Sequence, residues 1–131
     1  MDTKNLKGQI HNAMYQSLCK QGWVAPVDVL LGIGALTKEN HDNWRFGKAP
    51  YLEQVCQASL KQLSEIMREM RSYAAKNELK PSWTCYHQWG KHKDRRLRFS
   101  KSGDENTERQ YATHFVDPVR VAEIKERASE P

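Results

Sequence analysis

The sequence predicts a mainly α-helical domain of the α+β class, a helical bundle built around a long central helix and followed by one β-hairpin. Two observations carry this prediction. Apolar residues recur at helical spacing over 51–77, and the period changes to that of a strand over 82–101. The 131 residues suit a single domain, 1–131, with N-terminal helices over 1–50 and C-terminal helices, ending in a frayed tail, over 104–131.

The composition narrows the class of protein. Hydrophobic residues make up 38% and charged residues 28%, and no apolar run approaches the roughly 18 residues that a membrane span needs. The first residues also lack the apolar core of a signal peptide. The three cysteines are widely spaced, give no disulfide framework and suit a reducing compartment. We therefore expect a cytoplasmic protein without membrane contact.

The first part of the chain predicts three helices. Apolar side chains at four-residue steps form one face of a helix over 4–20, namely Leu6, Ile10, Met14 and Leu18. Gly22 suits the position after its C-terminus, and Pro26 suits the first position of the next helix. Thr37 can cap a third, short helix, which would turn Trp44 inward.

The strongest helical pattern covers 51–77, where apolar residues recur at helical spacing without an obvious interruption. Pro50 precedes the pattern and Pro81 follows it. A wide apolar face suits a central helix against which the other helices pack. The same face exceeds what one bundle needs to cover, so a homodimer through this helix is also expected.

The segment 82–101 has the signature of two strands joined by a polar turn. Residues 82–89 alternate polar and aromatic side chains, and residues 96–100 alternate again. In the second strand, Leu97 and Phe99 share one face, and Arg96 and Arg98 share the other. The turn between the strands is rich in lysine and arginine, so the hairpin is expected to have a basic tip.

Two capping signals follow the hairpin. Asp104 can cap a helix over 105–114. Asp117, followed by Pro118, can start a last helix that ends near Arg127. The residues beyond that helix are expected to fray.

The distribution of charge is the most informative feature of the sequence. The chain carries a formal net charge of +5, from 21 Lys and Arg against 16 Asp and Glu. The segment 80–102 holds seven cations and one aspartate, a net charge of +6, whereas 103–131 has a net charge of −3. One short stretch therefore carries more than the whole net charge, and it also contains Trp83, Tyr86, Trp89 and Phe99.

This basic and aromatic hairpin predicts a non-catalytic nucleic-acid-binding module, because cations neutralise phosphates and aromatic rings stack on bases. The expected contacts are Tyr86, Trp89, Lys91, Lys93, Arg95, Arg96, Arg98 and Lys101. A helical bundle followed by a hairpin resembles winged-helix domains in the order of its elements. That resemblance implies a hairpin tip on the backbone of the nucleic acid. DNA and RNA fit the pattern equally well.

Two other functions fit the same segment. The cations could dock an acidic protein partner, which would make the chain an adaptor domain. A small phosphodiesterase or ribonuclease would use His87 and His92 as base and acid, and these are the two candidate catalytic residues. No nucleotide-binding fingerprint is present, so no cofactor is expected.

Four shorter patterns each have two interpretations. Cys85 and His87 point the same way on a strand but lack the paired spacing of zinc sites, so no metal site is expected. Acidic residues over 104–108 could hold Mg²⁺ or favour the positive end of a helix. The loop 100–103 could cradle a phosphate or form an ordinary turn. Residues 44–46 could plug a gap between helices or anchor a partner.

Overall fold

The computed structural model describes residues 4–129, which form helices and one small antiparallel sheet. The helices are α1 Leu6–Gln21, α2 Pro26–Gly32, α3 Lys38–Arg45, α4 Leu52–Val55, α5 Leu60–Lys76, α6 Glu105–Ala112 and α7 Pro118–Ala128. The strands are β1 Trp23–Val24, β2 Lys80–Trp83 and β3 Thr113–Val116. The α+β class predicted from the sequence is therefore confirmed.

Helix ends lie where local signals in the sequence predict them. Gly22 follows α1 with a φ of 84°, and its N–H donates to the Leu18 carbonyl at 2.9 Å. The Thr37 hydroxyl accepts from Asn40 N–H before α3, and Asp117 accepts from two backbone N–H groups at the start of α7. The last two residues of the predicted frayed tail lie outside the described part of the chain.

The prediction of one helix over 51–77 is wrong, because the chain is not helical over 56–59. Ser59 starts α5 with a capping box: its hydroxyl accepts from Gln62 N–H at 3.2 Å, and the Gln62 side chain accepts from Ser59 N–H at 2.9 Å. Just before it, Gln57 N–H donates at 2.7 Å to a carbonyl of the loop after α2. The apolar spacing continues across the break because α4 and α5 bury residues in the same core.

The prediction of a regular β-hairpin over 82–101 is also wrong, although the chain does fold back there. The regular strand β2 pairs with β3, and not with the later half of the segment. Leu97 N–H donates to the Tyr86 carbonyl at 2.8 Å, and His87 opposes Arg96 in an isolated bridge. Only the middle of the segment therefore pairs with itself, as an irregular excursion between β2 and α6.

A strand from a distant part of the sequence replaces the second strand of the hairpin. β3 lies between β1 and β2, so that Phe115 has Val24 on one side and Pro81 on the other. The helix predicted over 105–114 consequently ends at Ala112, and the chain continues as β3. This pairing joins residues far apart in sequence, which a local alternation pattern does not reveal.

Residues 97–104, called the strap from here on, are bonded to the helices instead of to a neighbouring strand. Trp44 Nε1 and an N–H at the start of α4 both donate to the Arg98 carbonyl, at 2.8 and 3.1 Å. Leu97 and Phe99 are buried in the core, whereas Arg98 is exposed. The predicted alternation of faces is therefore confirmed over 96–99, and it ends at Ser100, which is buried.

The core lies between α1, α2, α4, α5 and the strap. α5 directs five residues into it: Leu63, Ile66, Met67, Met70 and Ala74. Leu60, at the first position of the helix, is 63% exposed. The chain itself thus covers most of the apolar face from which a homodimer was expected, and the homodimer stays a prediction. Among the described residues, none of the helices combines the length and the apolar character of a transmembrane span.

Candidate nucleic-acid interface

A cleft open to solvent lies where the end of α3 meets residues 84–93 and the sheet. Its volume is about 800 Å³, within the range of ligand-binding cavities. The side chains that determine its chemistry are Trp23, Arg45, Phe46, Tyr86, Trp89, Lys93 and His114. Aromatic rings, two cations and two imidazoles, of His87 and His114, therefore share one cavity.

Arg45 is the innermost cation of the cleft. Its guanidinium carbon lies 4.6 Å from the ring centroid of Trp89 and 5.1 Å from that of Tyr86, distances typical of cation–π contacts. Its Nε is buried and has no hydrogen-bond partner among the described residues. Burial lowers the pKa of Arg45 from its usual value, yet a guanidinium remains charged near neutral pH. The cleft thus holds a partly desolvated cation with an unused donor.

Gln88 supplies a second unsatisfied polar group. Its side chain is 7% exposed, and its Oε1 is buried without a hydrogen-bond partner in the described part of the chain. The amide lies against Gly47, which has a φ of 78° and where a Cβ would overlap Oε1. Only glycine fits that position without strain. Next along the chain, Trp89 N–H donates to the Arg45 carbonyl at 2.7 Å and fixes the two residues together.

The sheet contributes another wall of the cleft. Trp23 and His114 are diagonal neighbours on β1 and β3, and their rings stack with centroids 4.8 Å apart at an interplanar angle of 8°. Tyr86 Oη lies 3.0 Å from His114 Nε2. Burial raises the pKa of Tyr86 and lowers the pKa of His114. A neutral phenol and a neutral imidazole therefore share this hydrogen bond at pH 7.

Five of the eight predicted nucleic-acid contacts lie in or beside the cleft. Three of them line it: Tyr86, Trp89 and Lys93. Lys91 and Arg95 are exposed in residues 90–95, called the basic loop from here on. Neither cation forms a salt bridge with another described residue. Lys93 belongs to the loop and lines the cleft, so the positive charge of the basic loop continues into the cavity.

The other three predicted contacts lie elsewhere. The guanidinium carbons of Arg96 and Arg109 are 5.7 and 5.9 Å from the ring centroid of Trp83, in a second cavity of about 510 Å³. Arg98 donates hydrogen bonds to two carbonyl groups of the strap. Lys101 belongs to the strap itself and lines a third cavity.

The side chains of the two candidate catalytic histidines form no hydrogen bond or salt bridge with another described residue. His87 lines the cleft and His92 lies in the basic loop, and both are exposed. A base and an acid need defined positions relative to the reacting group. The imidazole that the cleft does fix is His114, which the sequence pattern did not place there.

The backbone N–H groups of the strap are bonded to carboxylates of the same chain. Glu108 accepts from Phe99 N–H at 2.9 Å and from Ser100 N–H at 2.7 Å. Glu53 accepts from Lys101 N–H at 2.9 Å. The interpretation of this loop as a phosphate cradle is therefore wrong, because the protein's own carboxylates occupy the anion positions.

Those hydrogen bonds also decide between the two interpretations of the acidic residues over 104–108. Asp104 caps α6 by accepting from Thr107 N–H at 3.1 Å, and Glu108 is engaged with the strap. The helix-end interpretation of these acids is thus the one that the structure supports. Within residues 4–129, no group of three or more His, Cys, Asp and Glu side chains is close enough to hold a metal ion.

Sequence reasoning missed the parts of the cleft that come from outside the predicted hairpin. Arg45 was visible only as a cation between two aromatic residues in a connection. Trp23 and His114 meet because β1 pairs with β3, and both strands are too short to show a period. Comparisons of the chain with protein-family models, with curated proteins and with solved structures find no match.

Proposed function

We propose that the protein is a non-catalytic nucleic-acid-binding module that contacts its ligand through the cleft and the basic loop. One observation carries the proposal. The Arg45 guanidinium, lying over two aromatic rings, shares a cavity with Lys93, at the base of a loop whose other cations are free. Nucleic acids offer phosphates to such cations and flat bases to such rings.

The electrostatic part of this proposal has a measurable size. Lys91, Lys93 and Arg95 lie close together in the basic loop, where Asp94 alone opposes them. If the loop and its neighbours neutralise about five phosphates, log K falls against log salt with a slope of about −4.5. A rise in salt of about fourfold would then weaken binding roughly 500-fold.

The arrangement of elements supports contact with nucleic acid through the irregular excursion between β2 and α6, and not through the long helix α5. The excursion leaves the sheet after β2 and carries the basic loop at its tip, which resembles the wing of a winged-helix domain. α5 turns its apolar face into the core. We therefore assign the contact with nucleic acid to the cleft and the basic loop.

Charge reversal in the basic loop tests the proposal. The double variant Lys91→Glu, Arg95→Glu should lose binding to DNA and RNA oligonucleotides, measured by fluorescence anisotropy at about 50 mM salt, at an unchanged melting temperature. The control Lys61→Glu, Arg68→Glu makes the same change of net charge on exposed positions of α5. It should bind within about threefold of the wild type. Equal losses in both variants would contradict the proposal.

The two rival functions predict other outcomes of the same titration. A domain that docks an acidic protein would show no response to either nucleic acid, although its loop variant would still lose the protein partner. A phosphodiesterase would cleave the oligonucleotide, and His87→Ala or His92→Ala would stop the cleavage. Under our proposal the oligonucleotide stays intact, and both histidine variants bind as the wild type does.

A further inference from the structure

Trp89 presents a fixed and partly open ring in the cleft. His41 and Phe46 contact it edge-on, each with ring centroids 5.6 Å away, at interplanar angles of 76° and 78°. Arg45 lies over the same ring. With all three neighbours in place, Trp89 is still 38% exposed. A ring held from several sides loses little conformational freedom when a ligand stacks on it, so Trp89 is a preorganised stacking platform.

A nucleobase stacks on a ring such as that of Trp89 through its face, so that face must be free. In a duplex, the faces of the bases are stacked on their neighbours and the pairing edges are bonded to the other strand. An unpaired base, by contrast, offers a free face.

The positive charges lie where the phosphates next to such a base would be. Lys93 lines the cleft, and Lys91 and Arg95 continue along the basic loop. The cavity of about 800 Å³ is large enough for one nucleotide and is open to solvent. Ring and charges thus match one nucleotide within a strand.

We infer that the cleft binds one unpaired base of a single-stranded nucleic acid, stacked on Trp89, with the flanking phosphates on the basic loop. This inference rests on the proposed function and narrows its ligand from nucleic acid in general to single strands, loops or unpaired ends. Stacking on aromatic side chains is the usual way in which proteins hold single strands.

The first test uses the wild-type protein and ligands matched in charge. One is a single strand of about twelve nucleotides, and the other is the same strand without bases. The wild type should prefer the strand with bases by about 5- to 150-fold, the factor that one stacked base contributes. The slope of affinity against salt should be the same for both, because both carry the same phosphates. A blunt duplex should bind like the strand without bases.

The second test uses matched tryptophan variants. Trp89→Leu should bring the preference for bases close to onefold, about the value for a protein without a stacking site. Trp83→Leu removes another exposed tryptophan, 48% exposed and outside the cleft, and should keep the preference. Trp89→Phe retains a ring and should keep most of it, which separates lost stacking from lost folding. Arg45→Met should weaken the preference, and Arg68→Met, the same loss of charge on α5, should not.

The outcomes separate this inference from the proposed function. Salt-dependent binding with no preference for bases would overturn the inference that a base stacks on Trp89, but it would leave the proposed function standing. An equal loss of preference in Trp83→Leu and Trp89→Leu would overturn the assignment to this cleft. Failure of every strand to bind would overturn both the inference and the proposed function.

Discussion

The strap and the basic loop come from one stretch of chain, yet they use their polar groups in opposite ways. In the strap, Arg98 and the N–H groups of 99–101 are bonded to carbonyls and carboxylates of the same chain. In the basic loop, Lys91 and Arg95 are exposed and form no salt bridge with another described residue. The comparison shows that the cations of one run in a sequence serve different purposes. Some of them stabilise the fold, and others remain available to a ligand.

The largest expected effect is the loss of the carboxylate that holds the strap. Glu108→Ala removes the acceptor of two backbone N–H groups and of the Ser100 hydroxyl. Each donor left without a partner costs about 1–3 kcal/mol, so the free energy of unfolding should fall by about 3 kcal/mol in urea denaturation. Glu105→Ala, an exposed acid one turn earlier, should cost less than about 1 kcal/mol. Similar values for the two variants would show that the strap does not depend on Glu108.

The next effect concerns the wall of the cleft. Gly47→Ala places a side chain at a φ of 78° and against the Gln88 amide, and should lower the free energy of unfolding by about 2 kcal/mol. Gly34→Ala is the matched control, because it has a φ of 81° but no atom within 4 Å of the added Cβ. It should show the backbone strain alone, about 1 kcal/mol. Equal costs in denaturation would mean that Gln88 does not lie against Gly47.

A smaller effect separates the cations of the strap from those of the basic loop. Arg98→Met loses two hydrogen bonds to strap carbonyls and should lower the free energy of unfolding by about 1 kcal/mol. Arg95→Met removes an exposed cation without a salt bridge and should stay within about 0.5 kcal/mol of the wild type. Binding should respond in the reverse order, weaker in Arg95→Met than in Arg98→Met. If the same variant showed the larger loss of both stability and binding, the distinction between structural cations in the strap and binding cations in the basic loop would be contradicted.

The smallest effect is a pH dependence of stability from His114. Burial lowers the pKa of His114 in the folded protein, so the unfolded chain binds a proton first as the pH falls. The contribution of the neutral ring is therefore complete above the ordinary histidine pKa of about 6.5 and is lost below it. Urea denaturation between about pH 7.5 and 5 should show a shallower loss of stability in His114→Gln than in the wild type. His92→Gln, at an exposed position, should leave the wild-type dependence unchanged, and an unchanged dependence in His114→Gln would contradict this account.

The sequence predicts the helices well, because their ends depend on nearby residues. Gly22, Thr37 and Asp117 act as caps within a few positions of where they stand in the chain. The interruption between α4 and α5 had a local signal as well, the capping box of Ser59 and Gln62. The continuous apolar spacing outweighed that signal, because periodicity reports burial and not helical continuity.

The candidate site was only partly predictable. The basic and aromatic residues of the segment pointed to Tyr86, Trp89 and Lys93, which do share a cavity. The partners from elsewhere, Arg45 and His114, reach that cavity through tertiary contacts and strand pairing, which leave no pattern in a single sequence. Alternation over 96–99 was predicted correctly, but the hydrogen bonding of the strap to Glu53 and Glu108 was not, because contacts between a loop and helix side chains leave no periodic pattern in a sequence.

The most direct test of the central claim is a titration of the wild-type protein with a single-stranded oligonucleotide, followed by tryptophan fluorescence at about 50 and 200 mM salt. Trp23 and Trp89 line the cleft and should report binding there, whereas Trp44 is fully buried. We predict saturable quenching whose midpoint moves to much higher concentration at the higher salt. No response at the lower salt would contradict the claim and would favour an acidic protein as the partner of the basic loop.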